Sequence, residues 1–167
     1  MYLTMNYRII DGNTANGIFT VSEVKISYQP KVRPSDRLKI TCSNDIYKLL
    51  TEYGVFDPEA IEHREFFKVL LLNGGNRLLG INHLSEGGIG EVTVDVRHIM
   101  QAAILANAAT IALCHNHPSG NLKPSAADDK MTEKVKAACV IFGISLTDHL
   151  VISSESYYSY ADEGRIL

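Results

Sequence analysis

Short apolar runs alternate along this chain with segments whose apolar residues recur every three or four positions. The runs have the length of β-strands, and NGGNR at 73–77, between two of them, has the composition of a hairpin turn. Strands are predicted over 65–73, 78–87, 91–96, 110–114, 144–153 and 156–164, and helices over 43–54, 97–108 and 125–143. The alternation predicts an α/β or α+β domain of three layers, in which helices flank a central mixed β-sheet.

The first 40 residues are less regular, and they form a predicted N-terminal arm ahead of a domain at 41–167. Glycine and proline residues interrupt the arm, but FTVSEVKISY at 19–28 alternates like a strand. The arm is locally basic, since it carries Lys25, Lys31, Arg33, Arg37 and Lys39. A charged, solvated strand edge is favoured, and a binding patch is the alternative.

The composition excludes several classes of protein. Hydrophobic residues make up 46% and charged residues 21% of the 167 residues, as in a globular domain with a core. The net charge of −3 gives no basic field for nucleic acid or an anionic membrane, and the apolar runs are too short to span a bilayer. The N-terminus lacks a signal-peptide pattern, and the three cysteines form no C-x-x-C pair, so a cytoplasmic protein with reduced thiols is expected.

The candidate chemistry is concentrated in CHNHPSGNLKPSAADDK at 114–130. Side chains alternate between the faces of a strand, so His115 and His117 share one face at the end of an apolar run. After a loop, Ser125 precedes the long helix, and Asp128 lies in its first turn, where the helix dipole favours an ionised carboxylate. Two neutral imidazoles and a carboxylate form a three-ligand set that suits Zn²⁺ with a fourth position for water. The Ser125 hydroxyl is then a candidate donor to an oxyanion or to that water.

The same residues also have a structural explanation. Ser-x-x-Asp ahead of an amphipathic helix is typical of a capping box, with Ser125 as N-cap and Asp128 at the third helical position. A lone histidine near a strand end is usually a structural hydrogen-bonding group. The ordered combination of His-x-His, loop, Ser and Asp favours the metal site, and capping and catalysis are compatible at Ser125. The letters HNH at 115–117 do not indicate an HNH nuclease, whose residues are dispersed, and the H-E-x-x-H motif is absent.

The segment from His115 to Asp128 matches His-x-His-x7-Ser-x-x-Asp, the JAMM motif, and so resembles the JAB/MPN metalloproteases. HNHPSGNLKPSAAD, with NGGNRLLGINHLSEGGIG before it and TDHLVIS after it, is similar to the RadC-type branch over roughly residues 40–164. The resemblance implies a zinc-dependent hydrolase with a cytidine-deaminase-like JAB/MPN fold. It also implies that His115, His117 and Asp128 bind the metal and that Ser125 lies on the oxyanion side.

The resemblance further implies a general base, a glutamate at the start of an apolar strand, and Glu65 matches it. Glu62, three residues earlier, and Glu86, at the end of the next strand, remain alternatives. A carboxylate in this role takes a proton from the attacking water and returns it to the leaving amine. The other histidines complete no second metal set, and His149 is interpreted as a structural group or a support for the ligands rather than as a catalytic residue.

We therefore expect a zinc metallopeptidase-like hydrolase that cleaves an amide or isopeptide bond of an unknown protein or peptide substrate. The alternative is a metal-stabilised interaction module without hydrolytic activity, which binds protein or, through the basic arm, DNA. Full-length RadC-type proteins usually carry an N-terminal helix-hairpin-helix region, and that pattern does not occur here, so the DNA repair role in the family's name has no support in this sequence. Short chains of this kind also resemble accessory proteins of bacterial mobile elements. No membrane partner is expected, and the sequence leaves the oligomeric state open.

Overall fold

The computed structural model of the protein describes residues 9–14, 17–22, 31–57, 60–86 and 94–166. None of the helices in these ranges has the length and apolar character that crossing a bilayer requires. The elements, in chain order, are β1 (Ile9–Thr14), β2 (Gly17–Ser22), a 3-10 turn (Pro34–Asp36), α1 (Ser43–Thr51), β3 (Phe66–Leu72), β4 (Leu78–Glu86), α2 (Val96–Leu105), β5 (Thr110–Asn116), α3 (Ala126–Phe142), β6 (Ser145–Ile152) and β7 (Tyr157–Ser159).

The central sheet has five strands in the order β4–β3–β5–β6–β7. Strands β5 and β6 are parallel and are joined through α3, whereas the other three neighbouring pairs are antiparallel. Strands β1 and β2 pair with each other in a separate antiparallel hairpin. The mixed five-stranded sheet with its helices confirms the predicted α/β class.

Helices cover both faces of this sheet, which gives the predicted three layers. The buried residues of α1 pack with alternate residues of β3, β5 and β6 on one face, and those of α2 and α3 pack on the other. Strand β5 shows the alternation, because Cys114 belongs to the α1 core and Leu113 to the α2–α3 core. His115 is on the α2–α3 side, where its ring stacks on that of Phe67. Cys114 therefore points away from His115, as predicted, and is fully buried.

The turn at 73–77 confirms the hairpin that the sequence predicts between β3 and β4. The Asn73 side-chain oxygen accepts hydrogen bonds from the backbone N–H groups of Gly75 at 3.0 Å and Arg77 at 2.9 Å. Asn76 takes a left-handed conformation with φ of 56°, which asparagine tolerates better than most residues. Local side-chain bonding thus closes the connection that brings β4 alongside β3.

Two predicted strands are wrong in part, each because a buried or capping carboxylate redirects the chain. In 91–96, Asp95 caps α2 by accepting a hydrogen bond from the backbone N–H of Arg97 at 2.9 Å, and Val96 is already helical. Residues 91–93 lie outside the described ranges. In 156–164, only β7 is a strand, because the buried Asp148 carboxylate accepts hydrogen bonds from the Ser159 hydroxyl at 2.7 Å and the Ala161 N–H at 3.0 Å, and the chain turns there.

The strand predicted at 19–28 is confirmed only over the residues that it shares with β2. Strand β2 runs from Gly17 to Ser22, and residues 23–28 lie outside the described ranges. The division into an arm at 1–40 and a domain at 41–167 stays a prediction.

Candidate metal centre

Strand β5 carries the two histidines of the motif to one edge of the sheet. His115 is fully buried, and its ring lies parallel to that of Phe67, with centroids 5.8 Å apart. His117 directly follows the strand and keeps 17% of its side chain exposed. The two Nε2 atoms lie 3.0 Å apart. The alternation of β5 therefore brings the two imidazoles together, as the sequence predicts.

Helix α3 brings the carboxylate of Asp128 to the same point. Its Oδ1 lies 3.1 Å from Nε2 of His115, and its Oδ2 lies 3.6 Å from Nε2 of His117. The predicted capping box is present as well, because the Ser125 backbone N–H donates to Asp128 Oδ2 at 2.6 Å and the Asp128 N–H donates to Ser125 Oγ at 3.2 Å. The capping interpretation of Ser-x-x-Asp is therefore confirmed, and the same arrangement places the Asp128 carboxylate beside the two histidines.

Glu65 completes the group from the residue before β3. One carboxylate oxygen of Glu65 and one ring nitrogen from each of His115 and His117 all lie within 4.8 Å of one another, a spacing that can hold a metal ion. Of the two alternatives, Glu62 is exposed, and the side chain of Glu86 lies outside what the structure describes. The structure therefore brings together four of the five predicted site residues, and the fifth, Ser125, contacts Asp128.

Comparison with known proteins identifies the family. The family model of the RadC-like JAB domain matches residues 40–165. This chain belongs to the RadC-like JAB domain family. A UPF0758 protein of Flavobacterium johnsoniae is 40% identical over 126 residues, which cover 75% of this chain and 53% of that protein. A UPF0758 protein of Porphyromonas gingivalis is 35% identical over 152 residues, which cover 90% of this chain and 65% of that protein.

A UPF0758 protein of Haemophilus ducreyi is 42% identical over 102 residues, which cover 61% of this chain and 46% of that protein. The chain thus spans about half to two thirds of the length of the curated relatives it matches. The names of these three relatives specify neither a reaction nor a substrate.

In this JAB domain, Asn116 has a positioning role that sequence reasoning missed. Its side chain is fully buried on the face of β5 opposite to His115. The Asn116 amide donates to the carbonyls of Ile61 and Arg64, both at 2.7 Å, and its oxygen accepts from the Phe66 N–H at 2.8 Å. These three bonds fix the backbone on both sides of Glu65. The middle residue of His-x-His therefore anchors the segment that presents the glutamate.

The outer nitrogens of the two histidines of the JAB domain are also hydrogen-bonded. Nδ1 of His117 lies 2.6 Å from the backbone oxygen of Asn121 in the loop before α3. Nδ1 of His115 lies 2.8 Å from Nε2 of His149, a fully buried residue of β6. Nδ1 of His149 in turn lies 2.6 Å from the hydroxyl of Thr132 on α3. Sequence reasoning treated His149 as a structural group or a ligand support, and Thr132 was not identified.

The charges at the centre stabilise one another. Burial opposes ionisation of Asp128, but hydrogen bonds from His115 and His117 outweigh it and hold the pKa of this carboxyl well below its usual range. The hydrogen bond to Asp128 raises the pKa of His117. Burial lowers the pKa of His149 far below its usual value, so this imidazole is neutral. An anionic carboxylate beside imidazole nitrogens is an arrangement that a bound cation would stabilise further.

Proposed function

We propose that this chain is a zinc-dependent hydrolase that cleaves an amide bond, of the peptide or isopeptide type, in a protein or peptide substrate. The observation that carries the proposal is the convergence of Asp128 with His115 and His117, beside the carboxylate of Glu65. The resemblance to JAMM-type metalloproteases, together with membership of the JAB family, supports it.

The donor atoms of this centre suit zinc. Atoms bound to one tetrahedral zinc ion at about 2.0–2.1 Å lie about 3.3 Å from one another. Nε2 of His115 lies 3.0 Å from Nε2 of His117 and 3.1 Å from Oδ1 of Asp128, and both separations are close to that value. Two imidazoles also favour zinc over magnesium or calcium, which prefer sites built from oxygen ligands. The residues present therefore fit the metal that the JAMM motif implies.

Each residue has a separate task in this proposal. Zinc held by the two histidines and Asp128 would supply an acidic water and polarise the scissile carbonyl. Glu65, held at the edge of the centre by the bonds of Asn116, accepts the proton of the attacking water and delivers it to the leaving nitrogen. The exposed Ser125 hydroxyl accepts the N–H of Asp128, so its own hydrogen remains available for the oxygen on which negative charge develops.

Zinc content measured beside hydrolysis tests the proposal. Zinc would be determined by elemental analysis in the wild type, Glu65→Gln and His117→Ala, with His98→Ala as a matched control on the exposed surface of α2. Cleavage would be followed by mass spectrometry on a peptide library that includes lysine-branched isopeptides. We expect about one zinc ion per chain in the wild type and in His98→Ala, loss of zinc and cleavage in His117→Ala, and loss of cleavage alone in Glu65→Gln.

Three results would contradict all or part of the proposal. A wild-type protein that binds no zinc after anaerobic reconstitution would remove its basis. Full zinc occupancy without cleavage of any library member would instead favour the interaction module, and unchanged cleavage in Glu65→Gln would move the general base to another carboxylate.

A further inference from the structure

We infer that His149 and Thr132 are positioning residues that fix the proton of His115 on Nδ1 and thereby leave Nε2 of His115 to bind the metal. The inference rests on the metal centre of the proposed function, but it concerns the protonation pattern of the protein and not the reaction. It is carried by a chain of three hydrogen bonds, which runs from the backbone of Asp128 through Thr132 and His149 to His115.

The donor and acceptor in each of these three hydrogen bonds can be assigned, because the first acceptor is a backbone carbonyl. The Thr132 hydroxyl lies 2.7 Å from the backbone oxygen of Asp128, four residues earlier in α3. Two oxygens at this distance need a hydrogen between them, and a carbonyl has none, so Thr132 donates it. A hydroxyl carries a single hydrogen. Toward Nδ1 of His149, 2.6 Å away, Thr132 is therefore the acceptor, and Nδ1 of His149 carries the proton.

The hydrogen bond between His149 and His115 has a defined donor as well. His149 is fully buried, and burial disfavours a charged imidazole, so a ring protonated on Nδ1 has a lone pair on Nε2. That nitrogen lies 2.8 Å from Nδ1 of His115, which must then be the donor. With a proton held on Nδ1, His115 has Nε2, the atom that faces Asp128 at 3.1 Å, as the nitrogen that can bind a metal.

His117 also carries a proton on Nδ1, and here a single hydrogen bond is sufficient to place it. Nδ1 of His117 lies 2.6 Å from the carbonyl oxygen of Asn121, which can only accept, so Nδ1 carries the proton and Nε2 is available. Two different acceptors, a loop carbonyl and His149, thus hold a proton on Nδ1 in both rings. A hydrogen bond to the outer nitrogen of a metal-binding histidine fixes the orientation of the ring and raises its basicity as a ligand.

Aromatic packing holds the hydrogen-bonded rings of His149 and His115 in place. The His149 ring is stacked on the ring of Tyr160, with centroids 5.0 Å apart and an angle of 14° between the planes. The Phe67 ring lies beside the imidazoles of His115 and His149, with a centroid distance of 5.8 Å to each. The three hydrogen bonds start at the backbone of Asp128 and end at the His115 ring, which faces the Asp128 carboxylate. They therefore connect α3, β6 and β5 around the centre.

Nuclear magnetic resonance of the metal-free wild type tests the proton positions directly. Long-range ¹H–¹⁵N spectra of histidine-labelled protein show which ring nitrogens carry a proton. We expect a proton on Nδ1 of both His115 and His149, whether or not Nε2 of His115 is also protonated beside Asp128. An unprotonated Nδ1 in either ring would overturn the inference, and this result does not depend on whether any variant folds.

Zinc affinity, measured by competition with a chromophoric chelator, tests the consequence for the metal. We expect about 10–100-fold weaker zinc binding in Thr132→Val and His149→Leu. His149→Gln, whose carbonyl can still accept from His115, should bind zinc more tightly than His149→Leu. Ser159→Ala, which removes an equally buried hydroxyl bonded to Asp148, is the matched control and should stay within about twofold of the wild type.

Equal zinc affinity in the wild type, Thr132→Val and His149→Leu would overturn the inference. So would a loss in Ser159→Ala as large as in Thr132→Val, because the effect would then follow general destabilisation. Failure of the hydrolase proposal is recognised separately: a wild type with tightly bound zinc and the expected tautomers, but without cleavage of any substrate, would refute the reaction and support the inference.

Discussion

Replacing Asn116 by Ala removes three hydrogen bonds that hold the segment around Glu65. The side chain is fully buried, and its partners are the carbonyls of Ile61 and Arg64 and the N–H of Phe66. A hydrogen bond of this kind contributes about 1 kcal/mol net, and a buried group deprived of its bond costs about 1–3 kcal/mol. We therefore expect the free energy of unfolding to fall by about 3–5 kcal/mol, part of a typical total of about 5–15 kcal/mol.

Urea denaturation followed by far-ultraviolet circular dichroism measures this loss, since the chain contains no tryptophan. The matched control is Asn73→Ala, which removes two hydrogen bonds to the backbone of an exposed turn. Water can replace the lost bonds there, so we expect a loss of less than about 1 kcal/mol. The two variants separate the effect of a buried anchor from the removal of an asparagine side chain.

The same variant should affect the two functional readouts unequally. His115 and His117 keep their contacts with Asp128, whereas Glu65 loses the anchor of its backbone, so cleavage should fall by about tenfold or more while zinc content stays near that of the wild type. A destabilisation no larger than that of Asn73→Ala would refute the structural reasoning. Parallel loss of zinc and cleavage would show that Asn116 supports the ligands and not the glutamate.

Three further predictions concern α3. Asp128→Asn keeps an acceptor for the Ser125 N–H but loses the charge that the two imidazoles stabilise, so zinc should be lost and the free energy of unfolding should fall by about 1–3 kcal/mol. Gly143→Ala places a side chain at φ of 64°, so urea denaturation should show a loss of about 1–2 kcal/mol, against a few tenths for Gly74→Ala, which has open space and no positive φ. The hydroxyl of Tyr160 lowers the pKa of Asp129 below its usual 3.8, so the folded protein binds this proton less readily than the unfolded chain. The stability advantage of the wild type over Asp129→Asn, measured by denaturation at a series of pH values, should be present near pH 6 and shrink as the pH falls below about 4.

Local patterns were sufficient for much of the candidate centre. The alternation of β5 predicts that His115 and His117 share a face, and Ser-x-x-Asp predicts where α3 begins, so a strand end and a helix start could be located from adjacent letters. Local patterns failed where one polar residue redirects the chain. Asp95 begins a helix inside an apparent strand, and Asp148 ends β7 from a position eleven residues before Ser159.

The supporting residues were beyond the reach of local patterns, because their contacts join distant parts of the chain. Asn116 bonds residues 50 to 55 positions away, and His149 contacts His115 across 34 positions. The sequence nevertheless contained one indication that His149 lies near His115. A strand, a helix and a second strand in succession predict that the two strands are parallel neighbours. In the observed pair of β5 and β6, His149 lies opposite Leu113, which shares its face with His115.

The capping box and the proposed ligand role of Asp128 depend on the same orientation of its carboxylate. A carboxylate offers two oxygens, and here Oδ2 is held by the Ser125 N–H at 2.6 Å while Oδ1 lies 3.1 Å from His115. The bond that begins the helix thereby also sets the orientation of the carboxylate, so little side-chain entropy remains to be lost when a metal binds. Because α3 is fixed to the sheet by buried Val135 and Cys139, the spacing between Asp128 and β5 is determined by the core. The capping bond, the packing of α3 on the sheet and the alternation of β5 therefore act together to set how the Asp128 carboxylate faces His115 and His117.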